Sequence, residues 1–422
     1  MPEYLIFFFM VAIFVLLAMF LKLPIGVSLA FSALAGSLLG GEGISIRHLV
    51  EGSFGYFDTI LIIVTAMIFM KVLQASGILD TVTSLLLKTF YKRKFSLLLT
   101  VMVLIMFPGM ITGSSTIAVL STGALVAPVL IKLGLSKIKT AALIAMGGIL
   151  GMIAPPVNIL VMIMGGGVDM PYVGLTIPLL IIVIPLAIVI SLWLGYKEIK
   201  IIGYNQMQAI LPKSYSQKYG LRLYLPLITV LALMVAQSFL VRFMPDIGIP
   251  LIFLLGSLIG IFCGRPFNFF KITQEAIKEA MPILSILVGV GMFIQIMTLT
   301  GGRGWTVMSF LSLPPVLLYL GIAVSMPLFG AVSAFGSASI LGVPFILTMI
   351  DKNAILTSSA LSAVAGLGDL MPPTALAGIF AAQVVGEANY FKVLRHCLIP
   401  ALFELSMGIG VLLLAPLLDK II

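Results

Sequence analysis

The sequence predicts an all-α polytopic membrane protein made of two inverted repeats, each with a re-entrant hairpin and a broken transmembrane helix. Three observations carry this. The 422 residues are 61% hydrophobic and 9% charged, with a mean hydropathy of +1.24, and no polar stretch is long enough for a soluble domain. Two apolar segments are interrupted in the same way, by a Gly/Ser-rich stretch and then a Pro-Pro pair. The basic residues fall almost entirely on one side of the membrane once those interruptions are read as hairpins.

The first interruption lies in Phe107 to Met162. Pro108 to Ser115 packs Pro, Gly, Thr and Ser into eight residues, and Gly151 to Asn158 holds Pro155-Pro156 and Asn158. Proline removes a backbone donor and clashes with the preceding turn. Backbone freed in this way is tolerated in a bilayer only where it is buried in protein or lines a watery site. The motif recurs in the second half. Gly368, Asp369, Leu370, Met371, Pro372 and Pro373 follow the register of Gly151 to Pro156, and PLFGAVSAFGSAS at 327–339 stands for the first Gly/Ser stretch.

A helical span needs about 20 apolar residues. The first repeat, 1–196, reads as spans at 4–21, 25–40 and 57–77, an amphipathic basic segment at 78–94, a hairpin at 95–131, a broken helix at 138–165 and a span at 173–196. The N-terminus has no positive leader and no small-residue cleavage site, and reads as a retained first span. A polar cytoplasmic linker covers 197–221. The second repeat, 222–422, reads as spans at 222–243, 247–263 and 281–300, a short segment at 301–312, a hairpin at 314–349, a broken helix at 354–385 and a span at 398–418. LAGSLLG at 34–40 matches LLGSLIG at 254–260, and Ile68, Phe69 and Gly77 match Met292, Phe293 and Gly301 at one offset.

Five crossings per half place both termini on one side, and the charge distribution puts that side outside. The inner loops then collect Lys88 to Lys94, Lys132 to Lys139, the linker lysines, Arg265, Lys271, Lys278, Lys392 and Arg395. Outside remain Arg47, Arg242, Arg303, Lys352 and Lys420. The net charge of +9 thus serves topology and contact with anionic lipid, and no nucleic-acid partner is expected. The two cysteines, Cys263 and Cys397, make no disulfide framework, and no nucleophile motif or phosphate loop points to an enzyme.

Hydroxyls, amides and freed carbonyls at helix breaks form an oxygen-rich set suited to a small cation, while helix N-termini favour an anion. The candidates at the first break are Gly113, Ser114, Ser115, Pro155, Pro156 and Asn158. At the second they are Ser333, Gly336, Ser337, Ser339, Asp369, Pro372, Pro373 and Thr374. Small residues of this kind also let helices pack closely, which is the competing reading. Sodium is assigned to Ser114, Ser115, Asn158, Ser333, Ser337, Asp369 and Thr374. The solute is assigned to Gly113, Ser114, Ser115, Pro155, Pro156, Gly336, Ser337, Pro372 and Pro373. An acid within an apolar span is a functional candidate, and Asp369 reads as a cation ligand, a proton carrier or a structural cap. Lys71 reads as a snorkelling side chain, and Asp58 and Glu404 as interfacial.

With these residues in place, the chain resembles the large membrane (permease, M) subunit of a TRAP transporter, in the ion-transporter superfamily. The resemblance rests on LKLPIGVSLAFSALAG at 21–36, Gly113-Ser114-Ser115, Gly123, Pro128, Gly134, Ala141-Ala142, Leu150-Gly151, Ile153, Pro155-Pro156 and Ile177-Pro178. In the second half Pro372-Pro373 fits, whereas SAFGSAS at 333–339 and Asp369 depart from the family pattern. The resemblance implies sodium-coupled uptake of a small organic anion across the inner membrane by an elevator motion, with no organic cofactor. It also implies two partners, a small four-helix membrane subunit and a periplasmic binding protein. Two alternatives stay open: a stand-alone sodium/anion symporter without a binding protein, and a non-transporting membrane scaffold.

Overall fold

The computed structural model describes residues 1–239 and 247–419. All regular elements among them are helical, and eight helices are long and apolar enough to cross a membrane. The protein is a multi-span helical membrane protein.

The chain opens with Glu3–Phe20, Ile25–Leu39 and Phe57–Ala75. Between the last two lies a short amphipathic helix, Ile46–Phe54, which the hydropathy pattern does not register. The first hairpin is Lys94–Thr112 followed by Ser115–Lys132. The first broken helix is Lys137–Ile153 and Ile159–Gly167, and Thr176–Gly195 follows. In the second half come Leu225–Phe239, Gly248–Cys263 and the 31-residue Phe269–Leu299. The second hairpin is Pro315–Gly330 and Ala334–Thr348, the second broken helix Ala354–Leu370 and Leu376–Val384, and Tyr390–Leu418 closes the chain.

Several boundaries differ from the sequence reading. Pro108 and Pro327 sit inside helices, and the hairpins turn only at Gly113-Ser114 and at Ala331 to Ser333. Proline is tolerated there because neighbouring segments satisfy the freed backbone. The helix read from 281 starts at Phe269, where the Asn268 side chain accepts from the Lys271 amide and caps it. The last helix starts at Tyr390 and not 398, capped by Asn389. The linker is folded, with helices at Tyr204–Ile210 and Ser216–Tyr219. Arg242 and Lys420, assigned to the outer face, lie outside the described residues.

The linker draws basic loops together at one end of the bundle. Lys139 Nζ lies 2.5 Å from Glu198, and the Lys200 amide donates to Leu133 O at 2.8 Å. Burial raises the Glu198 carboxyl, yet hydrogen bonds from Lys139 and Ser136 leave it below the usual carboxylate range. Lys88 sits over the Tyr204 ring, the Tyr215 amide donates to Thr81, and Arg265 donates to the Tyr215 hydroxyl. Arg303 lies at the far end of the first broken helix, donating to Gly167 O at 2.6 Å.

Glycines fix how each hairpin meets its broken helix. A Cβ on Gly151 would lie 2.4 Å from Met106 O, and one on Gly109 would lie 2.8 Å from the Gly151 carbonyl carbon. In the second half a Cβ on Gly330 would lie 2.6 Å from the Gly368 Cα. Backbones cross directly at both places. Each tip is also tied to the adjoining break: the Val157 amide donates to Met110 O at 3.1 Å, and Thr374 Oγ1 donates to Ala331 O at 2.8 Å.

Candidate functional site

Both hairpin tips are built alike. Gly113 ends the first descending arm with φ 64°, a left-handed conformation that favours glycine, and a Cβ there would also strike Ile159. Ser114 is extended and its hydroxyl caps the next helix by accepting from the Ile117 amide. Five residues on, Val119–Gly123 forms a π-turn. In the second hairpin Ser333 is extended and accepts from the Gly336 amide at 3.1 Å, and the π-turn is Ala338–Gly342. A serine cap satisfies donors that the break would otherwise orphan. Such π-turns are frequent at functional sites.

The two tips face a common cavity of about 650 Å³. Ser114, Ser115, Thr116 and Ser121 line it from the first hairpin, and Ser333 with Phe335 from the second. Met152 and Asp369 come from the broken helices, and Thr374 from the second break. The facing wall is Lys71 and Gln74 of Phe57–Ala75 and Glu279, Pro282 and Ile286 of Phe269–Leu299.

Asp369 is buried, and its Oδ2 accepts a hydrogen bond from Ser115 Oγ. The sequence reading placed these two residues at separate breaks. The structure puts the acid of the second half against the hydroxyl at the tip of the first hairpin. A carboxylate and a hydroxyl at a cavity wall form a hard oxygen pair of the kind that binds sodium or exchanges a proton.

Other candidates lie elsewhere. Asn158 is fully buried and satisfied internally: Nδ2 donates to Ile153 O at 2.8 Å and to Ser362 Oγ at 3.0 Å, while Oδ1 caps Ile159–Gly167. Gly113, Pro155, Pro156, Gly336, Ser337 and Ser339 do not line the cavity. Ser337 donates to Met326 O at 2.8 Å and Ser339 to Gly336 O at 2.9 Å. Pro372 and Pro373 line a separate depression beside Tyr390. The carbonyls expected to be free at the breaks are partly taken. Tyr172 donates to Pro156 O at 3.0 Å and accepts from the Asn158 amide, and Tyr390 donates to Leu370 O. Both prolyl bonds, Pro155-Pro156 and Pro372-Pro373, are cis.

Lys71 pairs with Glu279 at 2.5 Å, and both line the cavity. Glu279 precedes the apolar stretch of its helix, so the hydropathy pattern leaves it outside the span read from 281. Glu404 is not interfacial. It is fully buried near the middle of Tyr390–Leu418.

Residues 2–196 match the sequence model of the Na+/H+ antiporter family. The fold is similar to the crystal structure of the Alcanivorax borkumensis YdaH transporter, at 16% identity and a TM-score of 0.59, covering 87% of this chain and 88% of that one. It is also similar to Neisseria gonorrhoeae MtrF, described as one of a class of antimetabolite efflux pumps, at 15% identity and a TM-score of 0.55, covering 87% and 83%. The fold is a transporter fold. The matched family and both structures are transporters and not enzymes. A comparison with curated protein sequences gives no match.

Proposed function

We propose that the protein is a secondary active transporter that carries a small organic carboxylate through the cavity between the hairpin tips, coupled to a cation at Ser115 and Asp369. The observation that carries this is the Asp369 carboxylate, buried yet facing the cavity and partnered by a hydroxyl from the other half of the chain. Sodium is the coupling ion we favour, since Ser114, Ser115 and Asp369 supply hard oxygens. The helices beginning at Ser115 and Ala334 direct their N-termini toward the cavity, where they favour the solute's carboxylate.

The finer reading is a TRAP-type permease of the inner membrane, working with a separate four-helix subunit and a periplasmic binding protein, with both termini outside. The hairpins and broken helices form the moving part of an elevator, and Phe57–Ala75 with Phe269–Leu299 belong to its frame. The basic end gathered by the linker supports a cytoplasmic placement of residues 132–139.

A second reading is sodium/proton exchange without an organic solute, favoured by the family match over residues 2–196. Proteoliposomes separate the two. Uptake of a labelled carboxylate driven by a sodium gradient, and absent with choline, is the expected result. Sodium-driven proton movement with no solute flux would replace our reading with the second. A cysteine at position 137 labelled only from outside would reverse the topology.

A further inference from the structure

Among the described residues, the charged ones lining the cavity are Lys71, Glu279 and Asp369. Lys71 Nζ and Glu279 Oε1 are 2.5 Å apart across two helices, with Glu279 half exposed and Lys71 more enclosed, at 49% and 19% side-chain exposure. Gln74, one turn from Lys71, adds a neutral amide to the same wall. With all three charged groups ionised the wall carries one net negative charge. A monovalent cation at Asp369 brings it to zero.

We propose that the Lys71–Glu279 pair is a solute subsite selective for zwitterionic amino carboxylates, resting on the transport reading above. A solute carboxylate takes Lys71 and its ammonium takes Glu279, so one internal ion pair is exchanged for two intermolecular ones and the cavity stays neutral. A dicarboxylate gains Lys71 but strands Glu279 beside a second negative charge. A simple amine gains Glu279 and strands Lys71. Leaving one of these charges unpaired beside a bound solute opposes binding, so the pair discriminates by rejection as well as by attraction.

The test uses four-carbon probes with proteoliposomes given an inward gradient of sodium or of choline: succinate, butyrate, butylamine and the 2- and 4-aminobutyrates. We expect one aminobutyrate to be taken up with kcat/KM at least tenfold above succinate and butylamine. Lys71→Gln should erase that preference chiefly through KM. Glu279→Gln should raise butyrate to parity with the aminobutyrate. The charge-swapped pair, Lys71→Glu with Glu279→Lys, should restore the preference that either reversal alone abolishes, a recovery that a purely structural bridge would not give. Protein that fails to reconstitute is assayed in detergent by probe-dependent thermal stabilisation, with the same ranking expected. Succinate flux equal to or above aminobutyrate flux, or a preference indifferent to both substitutions, overturns the subsite and leaves the transport reading standing. No sodium-driven flux of any probe overturns both.

Discussion

The two hairpin tips share a construction and differ in chemistry. Each has a serine cap, Ser114 or Ser333, and each has a π-turn five residues on. Beyond that they diverge. The residue after the cap is Ser115 in one and Ala334 in the other, and the broken helices carry Met152 and Asp369 at matching places. All four line the cavity. The polar pair that forms joins Ser115 to Asp369 across the halves. The corresponding pair would be Ala334 and Met152, which has no hydrogen-bonding group. Two tips built alike therefore differ in chemistry, with the carboxylate–hydroxyl pair formed across the halves in only one of the two combinations.

The largest expected effect is that of Asp369→Asn. It keeps the shape and removes the charge, and should cost about 3 kcal/mol of sodium binding, roughly 100-fold in affinity. Sodium-dependent thermal stability and sodium-driven flux read it directly. Wild-type sodium dependence in that variant would mean the comparison has picked the wrong side. Next comes Met152→Asp, which puts an acid on the apolar side with no hydroxyl opposite. It should destabilise the protein by about 2 kcal/mol, with roughly 1 kcal/mol recovered when Ala334→Ser is added. Additive losses in that cycle would show that the two positions do not meet.

Ser115→Ala should weaken sodium binding by about 1.5 kcal/mol, on the order of tenfold, because the hydroxyl donates to a charged partner. The smallest effect belongs to Ser333→Ala. It should lower stability by about 1 kcal/mol through the lost cap, while sodium affinity changes by less than about twofold. Equal loss of sodium affinity in Ser115→Ala and Ser333→Ala would restore a symmetric pair of sites.

Hydropathy and the Pro-Pro breaks made the helices and the two hairpins legible, because long apolar runs and missing backbone donors leave a local signature. Amphipathic pieces did not show. Ile46–Phe54 and the first turns of Phe269–Leu299 carry charges that lower the hydropathy of a window even though they are helical. Asp369 was legible as an acid in an apolar run, but its partner was not, since Ser115 is far away in sequence and no local pattern encodes that meeting. The partner of Lys71 has no local signature for the same reason: Glu279 comes from the other half. Tyr172 and Tyr390, which occupy carbonyls at the two breaks, lie in stretches with no distinguishing composition.

The glycine crossings carry a mechanical consequence. Where Gly151 meets Met106 and Gly330 meets Gly368, no side chain lies between the two backbones. Side chains can absorb a small displacement by changing rotamer, but a bare backbone contact has no such slack and either keeps its register or parts. Any displacement of a broken helix would therefore reach its own hairpin with little damping. Ser115 and Asp369 belong to opposite halves, so on the transport reading proposed above a cation bound by both would be gripped by two such rigid couples at once. On that reading the cage would survive transit only while both couples travelled in step, and the bound ion would itself be the clamp that synchronises the two halves.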